Sequence, residues 1–421
     1  MEKLLEGVEV EWKLLGQVAE IYGGLTGKGK SDFDNGNTKY ISYKNIFNNI
    51  QINFDNLDSV KVSSSENQHE VKYGDVLFTG SSETANEAGM SSSITAQFDE
   101  KIYLNSFSFG VRFNNDIQMT PEFSKYLFRS NFMRKEIAKT ANGVTRFNVS
   151  KARFKKLSVP IPPLEVQSEI VRILDNFTEL TAELTAELTA ELFARKKQYS
   201  YYREQFFSFK DNEVELKPLG DIGEFIRGKR FVRNDMKKEG FPCIHYGEMY
   251  THYNVWAKEA KSFVDEDLAS KLRVADYGDV VIVAAGETIE DIGKGTAWLG
   301  DTGVVIHDAC FFFKSILNPK YVAYFTRTKF FHDQIKKHIS SGKISAINAN
   351  GLSKAKIPIP YPNNLDKSLA EQERIVSILD KFDALTNSIT EGLPHEIELR
   401  QKQYEYYRDM LLSFPKVESE V

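Results

Sequence analysis

Two stretches of the chain have apolar residues at helical spacing. Residues 164–209 contain no Gly and no Pro, so the pattern predicts one long helix of roughly 69 Å at ~1.5 Å per residue. Residues 364–421 repeat the spacing but carry Gly392 and Pro394 in their middle. A kink or a helix–turn–helix is therefore expected over residues 390–399.

The rest of the chain shows a different pattern. Short β-branched and aromatic runs bounded by Gly, Asn and Asp, such as those at 102–113 and 277–286, are typical of strands and turns. Residues 120–140 start with Thr-Pro and have apolar residues near helical spacing, which predicts a helix, and residues 317–339 are the counterpart. The fold class is therefore mixed, α+β.

The chain is two copies of one plan. The decapeptide VKYGDVLFTG (71–80) resembles ADYGDVVIVAAG (275–286) at an offset of 204 residues. The offset is 205 residues for the pair EIVRILDNF and RIVSILDKF, and for the pair RKKQYSYYREQFFSF and RQKQYEYYRDMLLSF. The repeat predicts an α/β domain followed by a helical spacer, twice, over residues 1–163, 164–212, 213–363 and 364–421.

Apolar stripes indicate how the two spacers pack. The stripes lie at positions 170, 173, 174 and 177 and at positions 375, 378, 379 and 382. Two such helices are expected to pair as an antiparallel coiled coil that holds the two domains apart in a pseudo-twofold arrangement.

Composition narrows the class of protein. The chain has 421 residues, 41% hydrophobic residues and a net charge of −5. No apolar run approaches the ~18 residues of a membrane span, the acidic N-terminus does not resemble a signal peptide, and two cysteines exclude a disulfide framework and a Cys-based zinc site. These features favour a cytoplasmic protein.

Charge is unevenly distributed along the chain. Residues 140–156 and 336–356 carry five basic residues each and no acid, and residues 227–238 carry six against one Asp. One such run is usually a solvated surface, but two of these lie at matching places in both repeats. Since Arg and Asn recognise base edges and Lys binds phosphates, the predicted DNA contacts are Lys28, Lys30, Lys44, Arg146, Asn148, Lys151, Arg227, Lys229, Arg230, Arg233, Lys343, Asn348, Asn350 and Lys354.

The chain contains only partial matches to known catalytic and nucleotide-binding motifs. The segment Gly24–Ser31 satisfies the phosphate-loop pattern GxxxxGK[ST], but turn-forming residues follow where a helix is required. The glycines of GKGTAWLG (293–300) do not complete a dinucleotide motif, and no adenine-methyltransferase motif is present. A nucleotide-hydrolysing enzyme using Gly24–Ser31 and a coiled-coil adaptor without a DNA role remain as alternatives.

The spacers carry two further signatures. The tetrapeptide TAEL occurs three times in register over residues 181–192, and Thr181, Leu184, Thr185, Leu188, Thr189 and Leu192 define the repeat. Each tetrad adds about 6 Å and a net rotation of ~40° to a helix, against ~3.4 Å and ~35° for one DNA base pair. The aromatic stripes fit core packing or a partner surface; they comprise Tyr199, Tyr202, Phe206, Tyr404, Tyr407 and Leu411.

The duplicated plan, the PIPP-to-helix junction, the QYxYYR endings and the TAEL repeats resemble the specificity (S) subunits of type I restriction–modification systems, of the IC-like subgroup. The resemblance implies a non-catalytic subunit without a cofactor of its own, whose two target recognition domains each bind half of a bipartite DNA target, in opposite orientations. It also implies two methyltransferase (M) subunits that use S-adenosylmethionine, and restriction (R) subunits, bound through M, that use ATP and Mg²⁺.

Overall fold

Each half of the chain forms a mixed α/β unit with its own core. The computed structural model describes residues 7–209, 214–340, 342, 344–388 and 390–415. One unit comprises Met1–Ala186 with Glu398–Val421, and the other comprises Glu187–Ile397. This division falls inside the spacer helices, so the domain boundaries given above stay predictions. Of the predicted site residues, Lys343 lies outside the described part.

The elements of the first unit follow the chain order of the first repeat. Its strands are β1 Glu11–Leu14, β2 Ala19–Gly23, β3 Thr38–Ile41, β4 Asp58–Val60, β5 Val76–Thr79, β6 Ser81–Ser82, β7 Ser91–Ser93, β8 Ile102–Leu104, β9 Ser108–Phe113, β10 Ala141–Asn142, β11 Phe147–Val149 and β12 Ser158–Ile161. Its helices are α1 Leu15–Val18, α2 Tyr43–Asn48, α3 Pro121–Leu127, α4 Asn131–Lys139, α5 Lys151–Phe154 and the start of α6 Leu164–Phe206, with a 3₁₀ helix at Lys30–Phe33.

The second unit repeats this order. Its strands are β13 Val214–Pro218, β14 Gly223–Arg227, β15 Phe241–Ile244, β16 Trp256–Ala257, β17 Ser262–Val264, β18 Val274–Ala275, β19 Val280–Val283, β20 Ala285–Gly286, β21 Gly295–Trp298, β22 Val304–Ile306, β23 Cys310–Ser315, β24 Ser345–Ala346 and β25 Lys356–Pro360. Its helices are the end of α6, α7 Leu219–Ile222, α8 Tyr246–Thr251, α9 Glu266–Ala269, α10 Pro319–Phe325, α11 Lys329–Ile335, α12 Ala349–Ser353, α13 Leu365–Asn387 and the start of α14 Gly392–Leu411, with 3₁₀ helices at Arg233–Asp235, Ile289–Asp291 and Lys336–His338. The part of α14 from Glu398 onward belongs to the first unit.

Equivalent sheets form the centre of each unit. In the first unit the strand order is β2-β9-β5-β7, and in the second it is β14-β23-β19-β21-β16. Aromatic side chains fill the space between sheet and helices; Phe78, for example, packs edge-on against Phe128 and Phe154. The mixed fold and the duplication predicted from the sequence are therefore confirmed.

Spacer helices close each core. In the first unit, Phe177 of α6 stacks on Tyr407 of α14 and Thr178 shares a hydrogen bond with Tyr404, so the two helices run antiparallel. In the second unit, the Tyr199 hydroxyl of α6 donates to Asp383 of α13, and the Arg374 guanidinium lies over the Phe206 ring, so these two helices also run antiparallel. The spacer helices are therefore antiparallel as predicted, but the two apolar stripes do not pack against each other. Ile170 and Leu174 lie in the core of the first unit, and Ile375 and Leu379 lie in that of the second.

Two predicted helices are interrupted. The spacer after residue 364 ends one helix at Asn387 and begins the next at Gly392, which confirms the predicted break. The single helix predicted over residues 120–140 is wrong, because the chain forms α3 and α4 there. Ser130 accepts a hydrogen bond from the Met133 amide and so caps a new helix.

The counterpart over residues 317–339 is interrupted in the same way. Thr328 accepts a hydrogen bond from the Phe331 amide and starts α11 three residues after α10 ends. A Ser or Thr inside an apolar periodic stretch competes for the backbone and favours a cap over helix continuation.

Candidate nucleic-acid interface

Three backbone hydrogen bonds gather the basic loops of the first unit at one end of its central sheet. The amide of Gly24 donates to Ser108 O at 3.2 Å, that of Gly80 to Phe107 O at 2.7 Å, and that of Val149 to Gly80 O at 2.9 Å. The residues that follow β2 and β5 and the end of β11, the strand after the basic turn, therefore meet at the same edge. A Cβ atom on Gly24 would lie 1.9 Å from Asn105 O, so only glycine permits this approach.

The second unit makes the same three bonds. Gly228 donates to Cys310 O at 3.0 Å, Ala284 to Ala309 O at 2.8 Å, and Ile347 to Ala284 O at 2.9 Å. A Cβ on Gly228 would again clash with backbone, 2.3 Å from His307 O. The two repeats therefore build one sheet edge twice, with different side chains on it.

Arg146, Asn148 and Lys151 come together at the first edge. Arg146 Nε donates to Ser81 Oγ at 3.1 Å, and Asn148 Nδ2 donates to Arg146 O at 3.4 Å. The Lys151 ammonium lies 5.7 Å from the Phe109 ring centroid, beside the end of β2. All three residues are exposed, and Arg146 keeps its terminal guanidinium nitrogens free of hydrogen bonds to the described residues.

A pocket of about 520 Å³ lies beneath Arg146. Tyr43 and Phe47 of α2 stack at 5.8 Å on one side of it, and the Tyr43 hydroxyl donates to Ser81 O at 2.8 Å. Glu87 accepts hydrogen bonds from Ser82 and Thr84 at its rim. Lys44, on the same helix, is exposed. Sequence reasoning missed Tyr43 and Glu87.

Lys28 does not offer a free ammonium group. It forms a 2.5 Å ion pair with Glu66, and its side chain is only 6% exposed. The hydrogen bond from Lys28 lowers the pKa of Glu66 to about 2. Lys30, at the start of the 3₁₀ helix, is exposed.

The geometry of Gly24–Ser31 does not favour a phosphate loop. A four-residue 3₁₀ helix at Lys30–Phe33 follows it in place of an α-helix. The Gly29 amide donates to the Asp32 carboxylate at 2.8 Å, so an anionic side chain already occupies an amide that a phosphate would need. Within the described residues no cluster of His, Cys, Asp and Glu is arranged to hold a metal ion.

Three predicted residues of the second edge have side chains that are hydrogen-bonded to backbone groups. Arg227 Nε donates to Asp308 O at 2.8 Å, and Lys229 Nζ donates to Lys271 O at 2.9 Å. Asn348 caps α12 through a 2.8 Å hydrogen bond from the Gly351 amide, a structural role that its counterpart Ser150 repeats on α5. The other predicted residues, Arg230, Arg233, Asn350 and Lys354, are exposed, as are these three.

A cationic cleft of about 820 Å³ adjoins the second edge. Lys238, Lys261 and Arg233 line it, together with Lys237, which pairs with Asp265. Sequence reasoning selected only Arg233 of these. Alignment of YISYKNIF in the first repeat with CIHYGEMY in the second makes α8 the equivalent of α2. This alignment would have indicated the region of the cleft.

Two histidines form the inner wall beside this cleft. The rings of His245 and His307 lie 4.5 Å apart, and each Nδ1 accepts a backbone amide, from Gly247 and Ala309 respectively. Burial lowers the pKa of both imidazoles, and His245 lowers that of His307 further. Both are therefore neutral near pH 7.

The predicted partner residues of the spacers mostly pack within their own unit. Tyr199 and Leu411 are buried, Tyr407 stacks on Phe177, and Tyr202 stacks on Phe382 although its edge is exposed. Phe206 and Tyr404 are half-buried. Core packing thus accounts for most of this stripe.

Other aromatic residues of the same signature face solvent. Tyr201 is 60% exposed and Tyr406, its equivalent at an offset of 205 residues, is 65% exposed. Within the TAEL repeat, Thr181, Leu184, Thr185, Leu188 and Leu192 are half-buried and Thr189 is exposed. No described helix is long and apolar enough to cross a bilayer.

Comparisons with known proteins give consistent matches. The family model described as the type I restriction modification DNA specificity domain matches residues 7–194 and again residues 211–399. A Haemophilus influenzae chain, provisionally named a type I restriction enzyme specificity subunit, is 33% identical over 98% of both chains. The EcoR124I/EcoR124II specificity subunit of Escherichia coli is 38% identical over 64% of this chain and 66% of that relative.

Solved structures share the fold. A chain from a structural study of complex assembly and conformational transition of the type I R-M system superposes with a TM-score of 0.70 at 17% identity, covering 97% of this chain and 98% of the other. The HsdS subunit from Thermoanaerobacter tengcongensis gives a TM-score of 0.58 at 16% identity, covering 96% and 95%. At these identities the likeness concerns the fold alone.

Proposed function

Because the chain belongs to the family of type I restriction–modification DNA specificity subunits, we propose that it selects the DNA target of such a system. Each domain binds one half of a bipartite site through the sheet edge that carries Arg146 in one unit and Arg230 in the other. The observation that carries this proposal is the recurrence of the same three backbone hydrogen bonds under both sets of basic loops.

The spacers hold the partners. Two M subunits bind the helices and bring S-adenosylmethionine for adenine methylation, and R subunits join through M with ATP and Mg²⁺ for restriction. Tyr201 and Tyr406 are exposed and occupy equivalent positions in the two repeats. They support two similar binding sites for M subunits, since tyrosine is enriched at protein interfaces. The chain itself is the recognition subunit and carries out no chemistry. The TAEL repeats support its assignment to the IC-like subgroup.

A mobility shift of bipartite duplex DNA, with M subunits present, tests the proposal. Specific binding with an affinity that falls steeply between 50 and 200 mM salt is expected, as for proteins that make many phosphate contacts. A separate assay of ATP turnover by the isolated chain, with Lys30→Ala as its control, tests the nucleotide-hydrolysis alternative, and no turnover that depends on Lys30 is expected. Binding that ignores DNA sequence contradicts the proposal.

A further inference from the structure

The tip of the β10–β11 hairpin presents an isolated apolar side chain. Val144 is 91% exposed, the highest value among the large hydrophobic residues that the structure describes. Its neighbours Thr145 and Arg146 are polar and exposed. Placing an aliphatic side chain fully in water loses the free energy that its burial would give.

The turn of this hairpin has a defined conformation. Gly143 has a φ of +150°, and a Cβ there would lie 1.9 Å from Arg146 O, so glycine is required. Arg153 Nη1 donates to Asn142 Oδ1 at 2.9 Å on one strand, and Arg146 Nε is tied to the buried Ser81 on the other. Side-chain hydrogen bonds on both sides therefore hold the turn that carries Val144.

A single exposed valine is common on protein surfaces, but the second unit repeats the feature. Strand β24 pairs with β20 as β11 pairs with β6, and Ser340 and Ala346 close the loop with two backbone hydrogen bonds. On this loop Ile344 is 62% exposed. Two equivalent hairpins thus present one β-branched apolar side chain each.

The surroundings of both tips fit DNA. They lie on the sheet edges with the predicted base- and phosphate-binding residues, and the exposed Phe107 adjoins the first edge. The major-groove edge of DNA offers one apolar group, the C5 methyl of thymine, and aliphatic side chains contact it. We infer that Val144 and Ile344 each contact a thymine methyl, one in each half-site. This inference rests on the proposed function.

Uracil substitution tests the contact one methyl at a time. Once the target is known, each thymine in either strand of the two half-sites is replaced singly by uracil, which removes only the methyl group. With the wild-type chain and M subunits, one substitution in each half-site is expected to weaken binding about fourfold, the factor for one buried methyl. With Val144→Ala, the loss in its half-site is expected to disappear, while the loss in the other half-site stays.

The second arm uses Ile344→Ala and a matched control. Ile344→Ala is expected to abolish the uracil effect only in the half-site that Val144→Ala leaves sensitive. Ile316 is also strongly exposed but lies at the opposite end of β23, so Ile316→Ala is expected to keep both effects.

Three results overturn the inference while leaving the proposed function intact. The first is specific binding that tolerates every uracil. The second is a uracil effect that persists unchanged in Val144→Ala and Ile344→Ala. The third is a loss of affinity in these variants that is independent of thymine, which would indicate a wedge between bases. If the wild-type complex binds no sequence selectively, the proposed function fails, and this inference fails with it.

Discussion

The hydroxyl of Tyr126 donates a 2.6 Å hydrogen bond to Asp175 in the first turns of α6. Lys125 donates to the same carboxylate at 2.8 Å. The second unit repeats the arrangement, with Tyr324 and Lys320 on Asp380 at 2.6 and 2.7 Å. Each unit is therefore attached to its own spacer helix by a tyrosine–aspartate hydrogen bond. Burial and the neighbouring carboxylate raise the pKa of both phenols.

Removing the Tyr126 hydroxyl is expected to weaken this attachment. Tyr126→Phe loses a hydrogen bond to a half-exposed carboxylate, so the free energy of unfolding falls by about 1 kcal/mol. Chemical denaturation of the full chain with M subunits measures the change. Tyr277→Phe is the matched control, because that side chain is 69% exposed and lies outside the proposed M-binding helices. Equal losses in the two variants would show that the bond contributes nothing.

The two histidines make the second unit sensitive to acid. Their pKa values in the folded state lie below the ordinary 6.5, so the unfolded state binds protons first and stability falls as the pH drops below about 6.5. Protonation of His307 Nδ1 also removes its bond to the Ala309 amide. Although Asp308 opposes this effect on His307, burial outweighs it.

The first repeat suggests the matched variant. There Asn105 Oδ1 accepts the Phe107 amide at 3.0 Å, as His307 Nδ1 accepts the Ala309 amide at 3.1 Å. His307→Asn is therefore expected to keep the turn and to reduce the loss of Tm between pH 7 and pH 5.5. An unchanged pH profile would contradict the assignment.

The cationic cleft predicts phosphate contacts that are independent of sequence. Lys238→Ala and Lys261→Ala are each expected to weaken binding equally for all targets and to lower the slope of log K against log salt by about 0.9. Lys101→Ala is the control, because Lys101 pairs with Glu70 before β8 begins, at the opposite end of that strand from the basic edge. A change in base preference, with the salt slope unaltered, would refute the phosphate role.

The TAEL segment predicts a change of spacing. Helix α6 is continuous through all three tetrads, and Ala, Glu and Leu are strong helix formers. Deletion of Thr185–Leu188 is expected to keep both half-sites and to shorten their separation by one base pair, because the ~40° rotation of a tetrad matches that of one pair. Methylation mapping measures the separation, and replacement of the same tetrad by AAEL is the length control. An unchanged separation would contradict the proposal that the repeat sets the distance between the half-sites.

The sequence predicted the periodic and repeated parts of the molecule well. The helix expected over residues 164–209 occupies Leu164–Phe206, because these 43 residues contain no Gly or Pro that would interrupt it. The repeat located equivalent loops in both units. The break between α3 and α4 was missed because a single capping serine outweighed helical spacing.

The sequence did not predict contacts between residues that are far apart in the chain. Nothing near Lys28 signals that Glu66 neutralises it, and the stripe of Tyr199, Tyr202 and Phe206 gives no indication of which face packs inward. The exposed Val144 was overlooked because one apolar residue in a basic loop has no periodicity to mark it. These features depend on residues far apart in sequence, which only the folded chain brings together.

Selection from random DNA tests the central claim, that each domain recognises its own half of the target. The wild-type chain and Arg146→Ala, each with M subunits, are given the same library and the bound sequences are compared. The account predicts a bipartite motif for both, with preference relaxed by about 1–3 kcal/mol at one base pair of a single half-site in Arg146→Ala. Relaxation in both half-sites, or an unaltered motif with unaltered affinity, would contradict it.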